Sequence, residues 1–231
     1  MTEPLAFLRA CGLRHGYRGA RGRYLPVVAG VDLAVARGEI VGICGPSGAG
    51  KSTLLRLLGG IEPPAGGAMF LDGQRMWSAG SRPHRLVRRG AVMAVFQDPV
   101  GSLDQRWPLW RSVTEPLLAR SRSQRPGRNE RRALGREWLG RVGLAGIDPH
   151  ARPRAVSVGQ CQRACIARAL VARPDVLIAD EPTAALDLTT TALVLRLLRD
   201  AADSGLVIVV VSHDERMLSV LCDRVMALRA P

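Results

Sequence analysis

A run of nine residues in this sequence has the residue types and the spacing that bind a triphosphate. Residues 45–53 fit the pattern G-x-x-x-x-G-K-[S/T], in which glycines let backbone N–H groups close around phosphates, the lysine reaches the β- and γ-phosphates, and the serine meets Mg²⁺. Lys51 is the only lysine among 33 basic residues, and its compact ammonium fits beside a phosphate chain where a guanidinium fork is too wide. The predicted phosphate-binding residues are Gly45, Pro46, Ser47, Gly48, Ala49, Gly50, Lys51, Ser52 and Thr53.

The residues on either side of this run favour a phosphate loop over an ordinary glycine-rich turn. Residues 40–44 are an apolar run typical of a buried strand, and residues 52–58 have the pattern of a helix. A strand, a glycine-rich loop and a helix in this order are the context that the phosphate-binding pattern requires.

Two acidic residues and a histidine form a second candidate group. Asp180 and Glu181 follow the apolar residues 176–179, so a parallel sheet would carry both carboxylates at its carboxyl edge, where ligands of such folds bind. One acid can hold Mg²⁺ while the other orients or deprotonates water, although a solvated acidic turn would contain the same residues. His213 follows the apolar residues 207–211 and would reach the same edge. There it could bind a γ-phosphate or cap the next helix, and periodicity leaves both open.

The elements around these residues predict an α/β fold. From residue 160 onward helices alternate with strands, which indicates a mostly parallel sheet with helices on both faces. Residues 31–35 and 69–71 read as small antiparallel strands, and residues 69–71 before Asp72-Gly73 look like one arm of a hairpin. Two helical stretches in the middle are separated by the polar residues 121–129. We therefore expect one domain over residues 1–231. It would consist of a P-loop nucleoside triphosphatase core with a small antiparallel β-subdomain (residues 1–97 and 166–231) and an inserted α-helical subdomain (residues 98–165).

Composition limits the class of protein. A chain of 231 residues that is 47% hydrophobic can bury a full core, and its longest apolar stretches are far too short to cross a bilayer. The start has no apolar signal run, so we expect a cytoplasmic protein. Five cysteines without a C-x-x-C pair are expected to be reduced thiols. Cys161 and Cys165, four residues apart, could share a metal, but small buried residues are the better interpretation because no accompanying ligands are present.

The net charge of +13 raises the question of nucleic-acid binding. Arginines are concentrated at residues 82–89 and 120–141, but neither cluster has the interleaved aromatic residues of a base-stacking surface. A solvated basic face, or one that meets anionic lipid headgroups, explains the charge equally well. We therefore expect no nucleic-acid partner.

The order of these motifs resembles one family, the nucleotide-binding subunits of ATP-binding cassette (ABC) systems. The resemblance extends from about residue 13 to residue 228. Besides the phosphate loop and the acidic pair, it includes a Q-loop at Gln97, a signature at residues 156–160, a D-loop at residues 184–187 and a switch histidine at His213. It implies an ATP-hydrolysing enzyme with ATP and Mg²⁺ as ligands.

The resemblance also implies a role for each matching residue. Tyr17 would stack on adenine. Ser52, Gln97 and Asp180 would arrange Mg²⁺. The implied catalytic residues are Gln97, Glu181, which would polarise the attacking water, and His213, which would sense the γ-phosphate. Two subunits would face head to tail, because one site lacks enough donors for the γ-phosphate, and Ser157, Gly159 and Gln160 of each signature would reach the partner's ATP.

A stretch after the Q-loop resembles one group within this family. Residues 96–104 and 113–117 are similar to the Q-D-P-x-x-S-L-N-P and E-P-L pattern of dipeptide, oligopeptide and nickel importers, except that Asp104-Gln105 replaces the usual Asn-Pro. Trp107, Pro108 and Trp110 fall where the family docks the coupling helix of its membrane partner. They are either an apolar docking patch or part of the helical subdomain's own core.

Val158 stands where the family's signature has its first glycine. A β-branched residue takes a positive φ only with strain, so either this position is helical here or the site has lost some complementarity to phosphate. Because Ser157 and Gly159 remain, we expect reduced rather than absent turnover at the site that this signature completes. Such a site would fit pairing with a different ATPase subunit.

The resemblance predicts a subunit that powers a membrane ABC transporter, importing peptide, nickel or a similar small solute. Its partners would be a second ABC ATPase subunit, transmembrane permease subunits and, indirectly, a solute-binding protein, which places it peripherally on the inner face of the cell membrane. One alternative is an accessory ATPase of a soluble phosphonate-degrading complex, whose subunits share the Q-D-P-x-x-S-L pattern. Another is an ABC protein that acts on nucleic acid, which the net charge favours but which usually has a second cassette or a long coiled-coil insertion.

Overall fold

A five-stranded parallel sheet lies at the centre of the chain. A computed structural model describes residues 6–19, 22–80 and 90–229, so the arginine cluster at residues 82–89 lies outside the described residues. The central strands are β3 (Ile40–Cys44), β6 (Val92–Val95), β7 (Val176–Asp180), β8 (Val207–Val211) and β9 (Arg224–Ala227), in the spatial order β6-β7-β8-β3-β9. All pairs in this sheet are parallel, as the alternation of helices and strands predicts.

The register of the central strands brings their carboxyl ends together. Val211 at the end of β8 pairs with Ile43 on one side and with Asp180 on the other. The loops that leave β3, β7 and β8 therefore begin side by side at one edge of the sheet. This edge is where the phosphate loop, the acidic pair and His213 were expected to meet.

An antiparallel sheet packs beside the central one. Its strands are β1 (Leu8–Arg18), β2 (Tyr24–Val35), β4 (Gly66–Leu71) and β5 (Gln74–Ser78), in the order β2-β1-β4-β5. Asp72 and Gly73 join β4 to β5 with φ of 49° and 71°, the conformation of a tight two-residue hairpin turn. The predicted antiparallel β-subdomain and its hairpin are thus confirmed.

Side chains alternate between the two faces of the central sheet. Leu177 and Ile208 belong to the core on one face, and Ile178 and Val209 belong to the core on the other. Every residue of β7 and β8 is buried, because elements cover both faces, and this is why these strands are continuous apolar runs in the sequence.

The described residues form six α-helices. They are α1 (Lys51–Leu58), α2 (Leu109–Thr114), α3 (Arg128–Arg141), α4 (Val158–Val171), α5 (Leu188–Asp203) and α6 (Glu215–Leu221). Helices α2 and α3 and the first part of α4 lie within residues 98–165, where the sequence predicts a helical subdomain. In it α3 approaches α2 closely at Gly135, where a Cβ atom would lie 2.8 Å from the carbonyl oxygen of Trp110.

This close packing decides between the two interpretations of the tryptophans. Trp110 is only 5% exposed, and the guanidinium of Arg131 lies 5.9 Å from its ring centroid, so Trp110 is part of the helical packing and not of a surface patch. Trp107 and Pro108 are half-buried at the surface. The docking hypothesis therefore keeps Trp107 and Pro108 and loses Trp110.

The cysteines are free thiols in the described structure. Cys161 and Cys165 are buried in α4, and their Sγ atoms lie 3.5 Å from two different carbonyl oxygens, those of Pro153 and Pro99. Burial raises the pKa of Cys165 to about 11 and that of Cys222 to about 12, so both thiols stay protonated and unreactive near neutral pH. The interpretation as small buried residues agrees with this geometry.

Candidate nucleotide-binding site

The glycine-rich loop connects β3 to α1 and takes a backbone shape that needs glycine. Gly50 has a φ of 90°, and a Cβ atom there would collide with the backbone carbonyl of Val27. Gly45 has a φ of 150°, and its Cβ atom would collide with the carbonyl of Leu228. Both glycines of the pattern are therefore required by close backbone approach as well as by dihedral angle.

The start of α1 is prepared for an anion. Gly50 is its N-cap residue and supplies no side-chain cap, and the first turn contains no acidic residue. The first N–H groups of the helix therefore remain available to an external acceptor, and the helix dipole favours negative charge there. The Lys51 ammonium lies across the loop, where its Nζ donates to the carbonyls of Gly45 at 2.8 Å and Pro46 at 2.9 Å.

One open cavity of about 470 Å³ brings the predicted groups together. Its wall combines the phosphate loop with the Q-loop, the acidic pair and the switch histidine, although these segments are far apart in sequence. The lining residues are Val27, Gly45, Ser47, Gly48, Gly50, Lys51, Ser52, Thr53, Gln97, Asp180, Glu181, Val211 and His213. Two larger cavities, of about 870 and 520 Å³, are lined by other residues, so the chemistry of the wall rather than its size identifies this site.

Asp180 ends β7 with a carboxylate that is almost fully buried. Burial raises its pKa and the charge of Glu181 adds to the rise, whereas a hydrogen bond from Ser52 and the charges of Arg56 and Lys51 act in the opposite direction. A buried carboxylate, a serine hydroxyl and the nearby amide of Gln97 are oxygen donors of the kind that Mg²⁺ prefers. The residues present therefore fit a magnesium ion.

Glu181 has an unusual backbone and a tightly held side chain. Its φ is 50°, a left-handed value that is strained for a residue with a Cβ atom, and its N–H donates to the carbonyl of Val211 at 2.9 Å. Oε2 accepts a hydrogen bond from Ser212 Oγ at 2.8 Å. Oε1 accepts one from the His213 N–H at 2.9 Å and lies 2.8 Å from His213 Nδ1. Both carboxylate oxygens thus face the end of β8.

The structure excludes one of the two roles that periodicity left open for His213, that of helix cap. Helix α6 is capped by Asp214, whose Oδ1 accepts from the N–H groups of Arg216 and Met217, each at 3.0 Å. The imidazole of His213 is not the cap and is 79% exposed. It lies at the cavity wall beside Glu181, and its role toward phosphate stays a prediction.

The signature residues lie at the start of α4 and do not line this cavity. Ser157 is the N-cap residue, and it forms a reciprocal capping box with Gln160: Ser157 Oγ accepts from Gln160 N at 3.2 Å and Gln160 Oε1 accepts from Ser157 N at 2.8 Å. Val158 is the first helical residue, so the strain that a β-branched residue would suffer at positive φ does not arise. Gly159 packs against the D-loop, where a Cβ atom would lie 2.6 Å from the carbonyl oxygen of Ala185.

Tyr17 lies next to the phosphate loop but outside the cavity wall. It is 41% exposed on β1, and its hydroxyl donates to Glu62 at 2.7 Å and lies 3.4 Å from Thr53 Oγ1. Its ring meets that of His15 edge-on, with centroids 5.0 Å apart. The exposed position leaves its ring accessible, and its role toward adenine stays a prediction.

Two residues of the site have no separate prediction in the sequence. Val27 contacts Gly50 from the distant strand β2, and nothing in its sequence neighbourhood indicates this contact. Ser212 donates a hydrogen bond to Glu181. The one sequence feature that could have indicated this contact is the position of its hydroxyl between an apolar strand and His213. Strand order and register create both contacts.

The sequence was compared with known families and proteins. The profile of the family described as "ABC transporter" matches residues 28–184. This chain belongs to the ABC transporter family. Among individual relatives, the "Probable D,D-dipeptide transport ATP-binding protein DdpF" of Escherichia coli (strain K12) is 38% identical over 230 residues, which are 97% of this chain and 69% of the relative.

Two further relatives match nearly their whole length. The "Lipoprotein-releasing system ATP-binding protein LolD 2" of Caulobacter vibrioides is 38% identical over 230 residues, which are 99% of this chain and 96% of the relative. The solved dimeric structure of the ATP-binding cassette MJ0796, in a post-hydrolysis state bound to ADP and Pi, has a TM-score of 0.87. That cassette is 29% identical, and the match covers 96% of this chain and 94% of the other.

These findings confirm the predicted family and fold. The ABC subunit is an ATP hydrolase and the motor of a membrane transporter, as the resemblance implies. In the described part of the chain, no helix is both long and apolar enough to pass through a bilayer.

Proposed function

We propose that this ABC ATPase binds Mg·ATP in the 470 Å³ cavity, hydrolyses it with Glu181 as general base, and powers the import of a peptide, nickel or a similar small solute. The proposal rests on one observation: four groups line the wall of this single cavity. A phosphate loop, a buried carboxylate, a second carboxylate beside it and an exposed imidazole are the parts that phosphoryl transfer to water needs.

The binding roles follow from the donors at the loop. Backbone N–H groups of the loop and of the first turn of α1 face the phosphates, and Lys51 exchanges the carbonyls of Gly45 and Pro46 for phosphate oxygens. Ser52, Gln97 and Asp180 would hold Mg²⁺, which would neutralise charge on the β- and γ-phosphates. Tyr17 stacks on the adenine.

The hydrolytic roles follow from the carboxyl edge of the sheet. Glu181 orients a water molecule and accepts its proton as the water oxygen bonds to the γ-phosphorus and the bond from that phosphorus to the β–γ bridging oxygen breaks, with ADP as the leaving group. His213 turns its exposed imidazole to the γ-phosphate and senses whether it is present. Gln97 extends from the Q-loop to the same reacting groups. Each of these side chains lines the same cavity.

A second ABC ATPase subunit completes the site. Ser157, Gly159 and Gln160 stand at the start of α4 and outside their own chain's cavity, which supports a role toward the ATP of the partner. The N–H groups at this helix start would add donors to the γ-phosphate. The dimeric MJ0796 cassette is consistent with such a pair. We treat residues 1–231 as one cassette in which residues 98–165 are the helical subdomain and the remainder is the core.

The solute class is inferred from the segment after the Q-loop and from the name of the DdpF relative. Asp104-Gln105, which replaces the usual Asn-Pro, holds this segment in place through side-chain hydrogen bonds. Gln105 Nε2 donates to the carbonyls of Val100 at 2.7 Å and Leu103 at 3.0 Å. Asp104 forms a bidentate salt bridge with Arg106, whose Nε and Nη2 donate to the two carboxylate oxygens at 3.0 and 2.8 Å. These hydrogen bonds lower the pKa of Asp104 to about 2. Side-chain hydrogen bonds thus replace the rigidity of the usual Asn-Pro pair.

The permease is expected to dock at Trp107 and Pro108. Trp107 is half-buried, and the Arg111 guanidinium stacks over its ring at 4.0 Å from the centroid. The ring therefore presents a rigid apolar surface beside Asp104 and Glu115 at the rim of a shallow cavity. Docking there places the subunit on the inner face of the cell membrane, at the cytoplasmic side.

Separate replacement of the two tryptophans tests this surface. Trp107→Ala is expected to abolish co-purification with the permease, to lower the unfolding free energy by only about 1 kcal/mol, and to leave ATP affinity unchanged. Trp110→Ala is expected to lower the unfolding free energy by about 3–5 kcal/mol, because its ring is buried against α3. Chemical denaturation and affinity purification measure the two effects. Retention of the permease by a folded Trp107→Ala variant would contradict the docking role.

The identity of the co-purifying proteins tests the function itself. We expect transmembrane permeases and a second ABC ATPase to be isolated with the tagged subunit from its own cells, and the reconstituted complex to hydrolyse ATP faster with a peptide-loaded binding protein. Isolation of soluble lyase components instead would favour the phosphonate-degrading complex. Tight binding to DNA or RNA at physiological salt would favour the nucleic-acid alternative.

Val158→Gly tests the effect of the altered signature. Val158 is helical and 52% exposed, so its isopropyl group faces outward at the surface that the second cassette covers. We expect Val158→Gly to raise steady-state ATPase activity of the assembled complex a few-fold, because the glycine removes bulk next to the partner's γ-phosphate. Val158→Ala is the intermediate control. Unchanged ATPase activity in both variants would mean that this position does not limit turnover.

A further inference from the structure

The hydroxyl of Ser212 makes two hydrogen bonds that fix where its proton points. Ser212 is 1% exposed, and its Oγ accepts from the Asp214 N–H at 3.1 Å and lies 2.8 Å from Glu181 Oε2. A carboxylate oxygen can only accept, and a serine hydroxyl has a single proton. The proton of Ser212 is therefore directed at Oε2 of Glu181.

The segment that carries Ser212 is itself firmly placed. Val211, the residue before it, accepts the Glu181 N–H at 2.9 Å, and Asp214 after it caps α6. The end of β8 thus holds both the backbone and the side chain of Glu181. This double attachment is what keeps a residue with a φ of 50° in one conformation.

His213 holds the other oxygen in a different way. Its side chain is 79% exposed, against 1% exposure for Ser212 as a whole residue, so the imidazole has open space into which it can turn once its contact with Oε1 breaks, while the hydroxyl is enclosed. If the imidazole turns to the γ-phosphate, Oε1 of Glu181 keeps only the hydrogen bond from the backbone N–H of His213. Oε2 keeps the hydrogen bond from the Ser212 hydroxyl. The carboxylate would then present Oε1 to the cavity without rotating.

We propose that Ser212 is a positioning residue for ATP hydrolysis, which anchors Oε2 of Glu181 so that Oε1 receives the proton of the attacking water. This inference rests on the proposed role of Glu181 as general base. Displacement of a reacting group by about 1 Å costs about 100-fold in rate, so loss of this anchor should affect the chemical step rather than nucleotide binding.

The test compares Ser212→Ala with Ser212→Thr in the assembled transporter complex. Threonine keeps the hydroxyl and alanine removes it. We expect Ser212→Ala to lower kcat by about 10- to 100-fold, with the KM for ATP and the affinity for a fluorescent ATP analogue essentially unchanged. Ser212→Thr should recover most of the activity. In the isolated, nucleotide-free subunit, amide hydrogen exchange in residues 180–184 should be faster for Ser212→Ala than for Ser212→Thr.

A double variant separates this inference from the role of Glu181. In a Glu181→Gln background, Ser212→Ala should cause no appreciable further loss of residual turnover, because both changes act through one carboxylate. A full additional loss there, unchanged kcat in the single variant, or parallel loss of kcat and nucleotide affinity without recovery by threonine would each overturn the positioning role. High turnover in Glu181→Gln alone would overturn the general-base role instead.

Discussion

Glu181→Gln is expected to lower ATP turnover of the assembled complex by about 10²- to 10⁴-fold, the range that one general base contributes. The glutamine amide has nearly the shape of the carboxylate: its one oxygen can accept from the His213 N–H while its NH₂ group donates to Ser212 Oγ. It cannot take the proton of the attacking water, so the chemical step fails while the cavity stays intact. Nucleotide affinity should therefore remain close to that of the unchanged protein.

Two measurements distinguish this loss from misfolding. Binding of a fluorescent ATP analogue should be retained, and size-exclusion chromatography with ATP should show a more persistent dimer of cassettes, because ATP at the interface is no longer consumed. Glu215→Gln is the matched control: it changes an exposed acid at the start of α6, outside the cavity, and should leave turnover unchanged. Glu181→Gln with normal turnover would require another base for the reaction.

Removal of the Lys51 ammonium is the second change with a large expected effect. Lys51→Ala should weaken ATP binding by about 10- to 100-fold or more, since a charge-assisted hydrogen bond to phosphate contributes about 1.5–3 kcal/mol. Folding should be preserved, because in the described structure the ammonium donates to two loop carbonyls, those of Gly45 and Pro46, and its charge is one of several that act on the buried Asp180. Equilibrium binding of the fluorescent analogue and thermal unfolding measure the two properties.

Lys51→Arg is the informative companion to this variant. It keeps the positive charge but replaces the compact ammonium by a planar guanidinium, which does not fit a loop closed by Gly45 and Gly50. We expect it to bind ATP poorly as well, whereas Arg216→Ala, at an exposed position outside the cavity, should bind ATP normally. Normal binding and turnover by Lys51→Arg would show that charge alone, and not the size of the cation, is what the loop requires.

Local patterns were enough to predict the central strands. Residues 207–211 are apolar without interruption, and they form β8 as predicted, because a strand that is covered on both faces must be apolar at every position. The hairpin at Asp72-Gly73 was similarly evident, since the turn needs two residues that tolerate positive φ. The phosphate loop could be located from its glycines and its lysine, because few other residues fit so narrow a backbone curve.

Periodicity failed where a side chain has two plausible neighbours. Trp107 and Trp110 are three residues apart in sequence, yet one lies at the surface and the other is buried against Gly135 of α3. The position of α3 is set by long-range packing, which the local sequence does not encode. Val158 differs, because its helical conformation follows from a local signature, the capping box between Ser157 and Gln160.

Residue types at short, fixed spacing were enough to predict the phosphate loop, the family and the alternation of strands and helices. Only tertiary packing brings His213 and Ser212 into hydrogen-bond contact with Glu181. These contacts arise from the register of β7 against β8, which sets residues more than thirty positions apart within hydrogen-bond distance. A hydrogen bond depends on distance and direction in space, and residue order alone fixes neither.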